Sequence, residues 1–308
     1  MPTTTTKKTS SPLPALAVDL GGTKIAAALV DARGRILLRA NEPVDTSSAD
    51  APVEQIVRIA RGLRGKANFG AAGVAIPGLV RPDGTVWAPN LPGWDAVPLA
   101  RLLRARLRVP VTVESDRNAA VLGEAWRGAA RGKDDVIVLI VGTGIGAGIL
   151  SGGRLIRGAH ELSGCAGWMV IEEKRDAMTR RVGGLESSIA GPAIGRLAGG
   201  SRTSVDLAEA ARRGDAKAKK IFERVGRQLG AALANLISLF DPEAIVLTGG
   251  VASAADLFLE DAKRTARELG QPLSAPKVEI TVTSLGADAN LLGAARLALG
   301  PQKERRST

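Results

Sequence analysis

From Ala15 the chain alternates short apolar runs with glycine-rich or polar breaks: ALAVDL, a Gly-Gly turn, KIAAALV, the polar turn Asp31 to Gly34, and ILLRA. Apolar runs of this length closed by turn residues predict a strand meander. The design recurs in VIVLIVGTGIGAGILSGGRLIRG, where an offset of 120 lays Gly22 on Gly142, Thr23 on Thr143 and Ala27 on Ala147. A repeated strand-turn-strand unit predicts an internal duplication. Two such turns facing each other would offer two backbone N–H cradles to one polyphosphate.

Between the copies the pattern predicts a helix over Pro52 to Leu63, a strand in AAGVAIPG, a loop around PNLPGW, a basic helix near Leu99 to Arg108 and a strand in VPVTVES. Asp116 to Arg127 follows as a helix, started by Ser115 or Asp116, with Ala119, Ala120, Leu122 and Trp126 at its apolar positions. Beyond the second copy come a long helix over Ala216 to Phe240, the strand EAIVLTGG, a helix from about Ala254 to Leu269 and a last helix over Ala289 to Leu299. Alternating strands and helices in 308 residues predict an α/β protein of two lobes with a cleft between them.

Composition narrows the possibilities. Met1 to Pro14 is polar and lacks the apolar run of a signal peptide, so it is expected to be a disordered tail. No stretch approaches the length of a membrane span, and the single Cys165 excludes an intrachain disulfide, which together point to the cytoplasm. The net charge of +11 is scattered over tails and helices, and aromatics are only 3%, so base-stacking nucleic-acid recognition is not expected.

The candidate chemistry is that of phosphoryl transfer, which needs phosphate cradles, a carboxylate near the metal and a carboxylate to accept a hydroxyl proton. No GxxxxGK[ST] string is present, and the loose dinucleotide pattern at Gly142, Gly144 and Ala147 runs into β-compatible sequence where a helix is required. Asp19 ends the first strand just before Gly21, Gly22, Thr23 and Lys24, where it can serve nucleotide binding or merely cap a hairpin. Asp116 stands where a strand hands over to a helix, a cleft-bordering position in α/β sheets. From spacing alone it suits a general base and a helix cap equally.

DLGGTK, GVAIPG, PNLPGW, ESDRNAAVLGEAW, VGTGIGAGI, GGLES, DPEAIVLTGG and LGADANLLGAA, in this order from about Ala15 to Leu299, resemble the ROK family of sugar kinases and repressors. The resemblance implies an actin-like ATPase fold of two ribonuclease-H-like lobes: residues 15–126 with the helix 289–299 packed back on them, and residues 127–288, the basic tail 300–308 following. It implies ATP with Mg²⁺ in the cleft, a sugar between the lobes and a homodimer. It assigns Asp116 as catalytic base, Gly21, Gly22, Thr23, Lys24, Gly142, Thr143, Gly144 and Gly146 to the phosphates, and Thr248, Gly249 and Gly250 to the adenosine; Asp19, by its place before the first turn, is the candidate carboxylate near ATP and Mg²⁺. Asn90, Glu114, Ser115, Asp116, Cys165, Trp168 and Glu186 fall on its sugar-facing segments.

The chain departs from the family at several of these positions. Ser115 stands where Asn is usual, Cys165 where a sugar-binding Glu is usual, and Trp168 where a sugar- or zinc-binding His is usual. RDAMTRRVGG replaces the cysteine-bearing zinc loop, so no structural zinc is expected. Trp168 would either stack on the sugar or fill the space that loop vacates, and His160 is expected on an exposed loop. The reading these features favour is phosphorylation of a hexose or amino-sugar hydroxyl by ATP; the alternative is a sugar or nucleotide sensor with little transfer activity. A DNA-binding sensor is disfavoured, since only 18 residues precede Asp19, fewer than a helix-turn-helix module needs.

Overall fold

The computed structural model of the protein describes residues 12–173 and 176–300; the expected tails fall almost wholly outside that range. The first half runs β1 (Ala15–Leu20), β2 (Lys24–Val30), β3 (Ile36–Pro43), α1 (Ala51–Arg64), β4 (Ala71–Ile76), a small hairpin β5 (Leu79–Val80) and β6 (Val86–Trp87), α2 (Leu99–Leu107), β7 (Val111–Ser115) and α3 (Asp116–Arg127). The second runs β8 (Val136–Val141), β9 (Ile145–Ser151), β10 (Arg154–Leu155), α4 (Ala177–Val182), α5 (Gly184–Ile189), α6 (Gly191–Leu197), α7 (Ser204–Arg212), α8 (Ala216–Phe240), β11 (Ala244–Thr248), α9 (Leu259–Leu269), β12 (Glu279–Val282) and α10 (Asp288–Leu299).

The two five-stranded sheets have the same order, β3-β2-β1-β4-β7 and β10-β9-β8-β11-β12, an antiparallel meander followed by two parallel strands. The duplication is therefore real, but its offset is not uniform. Entering strands match at 121 residues and leaving strands at 120, because Leu20 pairs with Ile25 whereas Val141 pairs with Ile145. The second turn is one residue shorter, and Gly21, not Gly22, is the counterpart of Gly142.

Both sheets are covered on both faces, which explains their near-continuous apolar runs. Leu16, Val18 and Leu20 of β1 face a core shared with α1 and α2, while Ala15 and Ala17 face inward to Leu291, Leu292 and Ala295 of α10. In the second lobe Ile137 and Leu139 face the core of α8 and α9, and Val136 and Val138 face α3. Each lobe's last helix thus crosses to the interior face of the other lobe's sheet. α10 packs on β1 and β4 of the first sheet, and α3 lies between the two sheets, with Ala119 in one core and Ala120 and Val121 in the other.

The crossing is close. A Cβ on Gly148 would stand 2.0 Å from the Arg117 carbonyl oxygen, and one on Gly293 1.7 Å from that of Ala119. These glycines set the approach of α3 to β9 and to α10, and hence the placing of the residues at the start of α3.

Two details differ from the sequence pattern. Helices α4 to α7 are not among the expected elements, α4 to α6 being too short to show a helical period. The expected helix over Ala254 to Leu269 is a 3₁₀ segment, Gly250–Leu257, followed by α9, with the break at Phe258. Phe258 is buried and stacks on Phe222 of α8, a tertiary contact that fixes where α9 begins.

Candidate active site

Strand ends and helix starts of both lobes converge on one cavity, with a glycine turn following β1 and another following β8. The first turn, residues 21–24, closes with Gly21 N–H donating to the Lys24 carbonyl at 2.9 Å, and leaves Thr23 and Lys24 exposed. The second, residues 142–144, closes with Gly142 N–H on the Gly144 carbonyl at 2.9 Å and exposes Thr143 and Gly144. None of these glycines has positive φ, so their value is close approach: a Cβ on Gly22 would meet Asn90 Cβ at 3.3 Å, and one on Gly144 a Glu186 carboxylate oxygen at 3.0 Å. Gly146, expected in the second turn, lies inside β9, paired with Ile140.

The strand β11 ends on Thr248, and Gly249 follows with φ 92°, its backbone against the end of β8; a Cβ there would be 2.5 Å from the Val141 carbonyl oxygen. Only glycine suits that conformation and that space. A Cβ on Gly142 would be 3.9 Å from Gly250 N, so the second turn and the Thr248–Gly250 loop adjoin.

A cavity of about 480 Å³ opens beside this loop, lined by Asp19 and Asn290 on one side, Thr248, Gly249 and Ser253 on another, and Asp116, Thr283 and Gly286. It thus joins residues of both lobes. Asn290, Ser253, Thr283 and Gly286 were not nominated from the sequence. For Thr283, Gly286 and Asn290 the signal is the repeat itself: β12 hands over to α10 as β7 hands over to α3, so the second handover borders the cleft as the first does.

Two carboxyls share this cavity. Asp19 accepts a hydrogen bond from Asn290 Nδ2 at 3.2 Å, and its pKa is raised to about 6, chiefly by burial and further by the charge of Asp116, with Lys24 opposing. Asp116 is likewise raised by burial, opposed by the Arg117 backbone N–H that donates to its Oδ1 at 2.8 Å and by the Arg117 charge. Asp116 is not the helix cap. Ser115 is, its buried Oγ accepting from Asn118 N–H at 3.4 Å, so the Asp116 carboxylate is left for the cavity.

The residues nominated for the acceptor are brought together only in part. Glu114 is 5% exposed and fully engaged, accepting from Ser115 N–H, Asn118 Nδ2 and both Nε and a terminal nitrogen of Arg157 at 2.8–3.0 Å. Glu186 Oε2 accepts from Ile145 N–H at 2.7 Å and lies against Gly144 and Gly167, which ties the second turn to the 3₁₀ turn Ala166–Trp168. Glu114, Ser115 and Glu186 thus hold the frame around Asp116. Asn90 is exposed against Gly22, and Cys165 is half-buried with its Sγ 3.7 Å from an Arg117 terminal nitrogen.

Trp168 is 57% exposed, so it does not fill space left by a missing loop. Beside it α4, capped by Asp176 on Thr179 N–H, ends at Gly183, where an added Cβ would stand 2.5 Å from Trp168 Cα. His160 is exposed. Among the described residues no three His, Cys, Asp or Glu side chains gather as a metal cluster, and no helix is long and apolar enough to cross a membrane.

Comparison with known proteins gives the same outline. A glucokinase of Thermotoga maritima is 32% identical over 92% of this chain and 96% of its own length, and one of Streptomyces coelicolor 35% over 93% and 98%. The bifunctional enzyme NanE/NanK of Brucella melitensis is 37% identical over 94% of this chain, which spans 54% of that protein's length. Among solved structures, a ROK hexokinase from Thermus thermophilus superposes with a TM-score of 0.81 at 32% identity, covering 93% of this chain and 98% of its own. A ROK glucokinase from Streptomyces griseus, in complex with glucose and AMPPNP, gives 0.76 at 33%, covering 92% and 99%. The ROK family model matches residues 15–300, first strand to last helix, so the likeness takes in both lobes and the crossing helices alike, and the chain belongs to the ROK family.

Proposed function

We propose that the protein is an ATP-dependent carbohydrate kinase that transfers the γ-phosphoryl of ATP to a hydroxyl of a hexose or amino sugar, with Asp116 as general base. The observation that carries this reading is the Asp116 carboxyl, freed of the capping role by Ser115, desolvated, and facing the cavity it shares with Asp19. A base with its pKa raised above the ordinary carboxylate range is better matched to proton abstraction near neutrality. The glucokinase relatives, and the solved relative holding glucose with AMPPNP, support both substrates.

The Thr248–Gly250 loop and Ser253 would bind the adenosine end, and the two glycine turns with Thr23, Lys24 and Thr143 would bind the phosphates. Mg²⁺ carried with the nucleotide would neutralise phosphate charge. Asp19 fits that partner, since a buried acid with a raised pKa is one that a nearby cation relieves. Glu114, Arg157 and Glu186 hold the acceptor end in place. By the same family likeness we take the protein to be a cytoplasmic homodimer.

The test is a panel of hexoses and amino sugars with coupled detection of ADP, comparing wild type with Asp116→Ala. The variant should lose roughly 10²–10⁴-fold in kcat while still binding a nucleotide analogue. Undiminished turnover in the variant refutes the base assignment, and no turnover by wild type on any sugar refutes the kinase reading.

A further inference from the structure

Glu124, near the end of α3, has no exposed surface. Among the described residues no cation comes within ion-pair distance of it, whereas the buried Glu114 is answered by Arg157 at 2.8 Å. Its carboxylate meets two neutral donors instead: Oε2 accepts from Ala129 N–H at 2.8 Å, and Oε1 accepts from the Thr283 hydroxyl, 159 positions away in the chain. The backbone makes room for this group, since a Cβ on Gly128 would stand 1.9 Å from Oε2. A buried carboxylate at the negative end of a helix, without a cation beside it, is costly to keep. Closing α3 does not call for it, because Gly128 N–H already ends the helix on the Glu124 backbone carbonyl.

Thr283 is where that carboxylate reaches the cavity. A hydroxyl has one proton to donate and two lone pairs, and here all are used: the proton goes to Glu124, and the oxygen accepts from Leu285 N–H at 3.1 Å and Gly286 N–H at 3.0 Å. These bonds fold the turn 283–286 between β12 and α10, with φ 55° at Gly286. Thr283 and Gly286 line the cavity with Asp19, Asp116 and Thr248, while Glu124 stands behind them. The helix that the turn launches carries Asn290 to Asp19. Only a group that accepts at both of its oxygens lets the hydroxyl keep both N–H bonds. A glutamine amide could serve Ala129 with its oxygen but would present N–H to Thr283, leaving the hydroxyl proton without its acceptor or displacing a backbone N–H. From these contacts we infer that Glu124 is a positioning residue for the nucleotide, fixing through Thr283 the wall of the cavity that receives it. This rests on the kinase reading above and adds to it a residue behind the cavity that sets nucleotide affinity.

The test compares wild type with Glu124→Gln, Thr283→Val, Thr283→Ser and the double variant of the first two. Each is titrated calorimetrically with AMPPNP and Mg²⁺, and its KM for ATP and for the sugar that wild type turns over best is measured by coupled ADP detection. Glu124→Gln and Thr283→Val should each raise KM for ATP and weaken AMPPNP binding by about 5–30-fold. The KM for the sugar should change by less than about twofold, Thr283→Ser should stay within about twofold of wild type, and the double variant should be no weaker than the weaker single one, since both changes break the same chain of bonds. Circular dichroism without ligand shows which variants are folded, and if Glu124→Gln is not, Thr283→Val decides. Unchanged nucleotide affinity in a folded variant overturns the inference and leaves the kinase reading standing. Equal losses for nucleotide and sugar, or effects that add in the double variant, also overturn it, marking Glu124 as a support of α3 alone. Should no sugar be phosphorylated, the kinase reading fails, and the AMPPNP titrations decide the inference separately: binding that depends on Glu124 and Thr283 sustains it, and binding indifferent to them, or none by wild type, overturns it.

Discussion

Replacing Asp19 by Asn should make the free protein more stable while disabling it. Asp19 is held in the cavity with a pKa of about 6 against an ordinary 3.8, because burial and the charge of Asp116 outweigh the help of Asn290 and Lys24. At about 1.4 kcal/mol per unit, keeping it ionised in the fold costs at most about 3 kcal/mol. The cost has a definite pH window. Below about pH 4 the carboxyl is protonated in folded and unfolded chains alike. Between about 4 and 6 the folded chain holds a proton that the unfolded chain has released, so stability falls as pH rises, and above about 6 the full cost applies. An amide does not titrate and its oxygen can still accept from Asn290. The Asn variant should therefore gain little near pH 4.5 and at most roughly 5 °C in Tm by pH 8. Thermal unfolding followed by circular dichroism from pH 4.5 to 8 measures this, and addition of magnesium with a nucleotide analogue should raise wild type more than the variant. A difference that is flat with pH, or a less stable variant at pH 8, refutes the assignment of Asp19 as an acid strained by its site.

Ser115→Ala should cost about 1 kcal/mol in urea unfolding through loss of the α3 cap, while Ser115→Asn, which can cap as well, should cost much less. Gly249→Ala should lose at least about 2 kcal/mol and weaken nucleotide-analogue binding, since its φ of 92° is unfavourable for a side chain and the added Cβ would press on the Val141 carbonyl oxygen. Calorimetry of analogue binding beside thermal unfolding checks both effects.

Much of the site was legible because a local pattern was enough. Strand-turn-strand units show themselves by apolar runs and glycines, and their repetition marks both glycine turns without any knowledge of long-range contacts. Asp116 and Asp19 stood out because strand ends border clefts whatever the rest of the chain does. Residues whose importance lies in a partner far along the chain did not stand out. Asn290 reaches Asp19 across 271 positions, and Thr283 reaches Glu124 across 159.

The sequence by itself determined the duplicated α/β architecture, the two glycine turns and the nomination of Asp116, because each depends on short-range periodicity and residue type. Only the tertiary structure decided that Ser115 and not Asp116 caps α3, that Glu114 and Glu186 are occupied in holding the frame, that Trp168 stays exposed, and that α3 belongs to both lobes. Those outcomes turn on which groups the crossing of α3 and α10 brings within hydrogen-bond reach, a distance set by the packing of backbones at Gly148 and Gly293 that no linear spacing records.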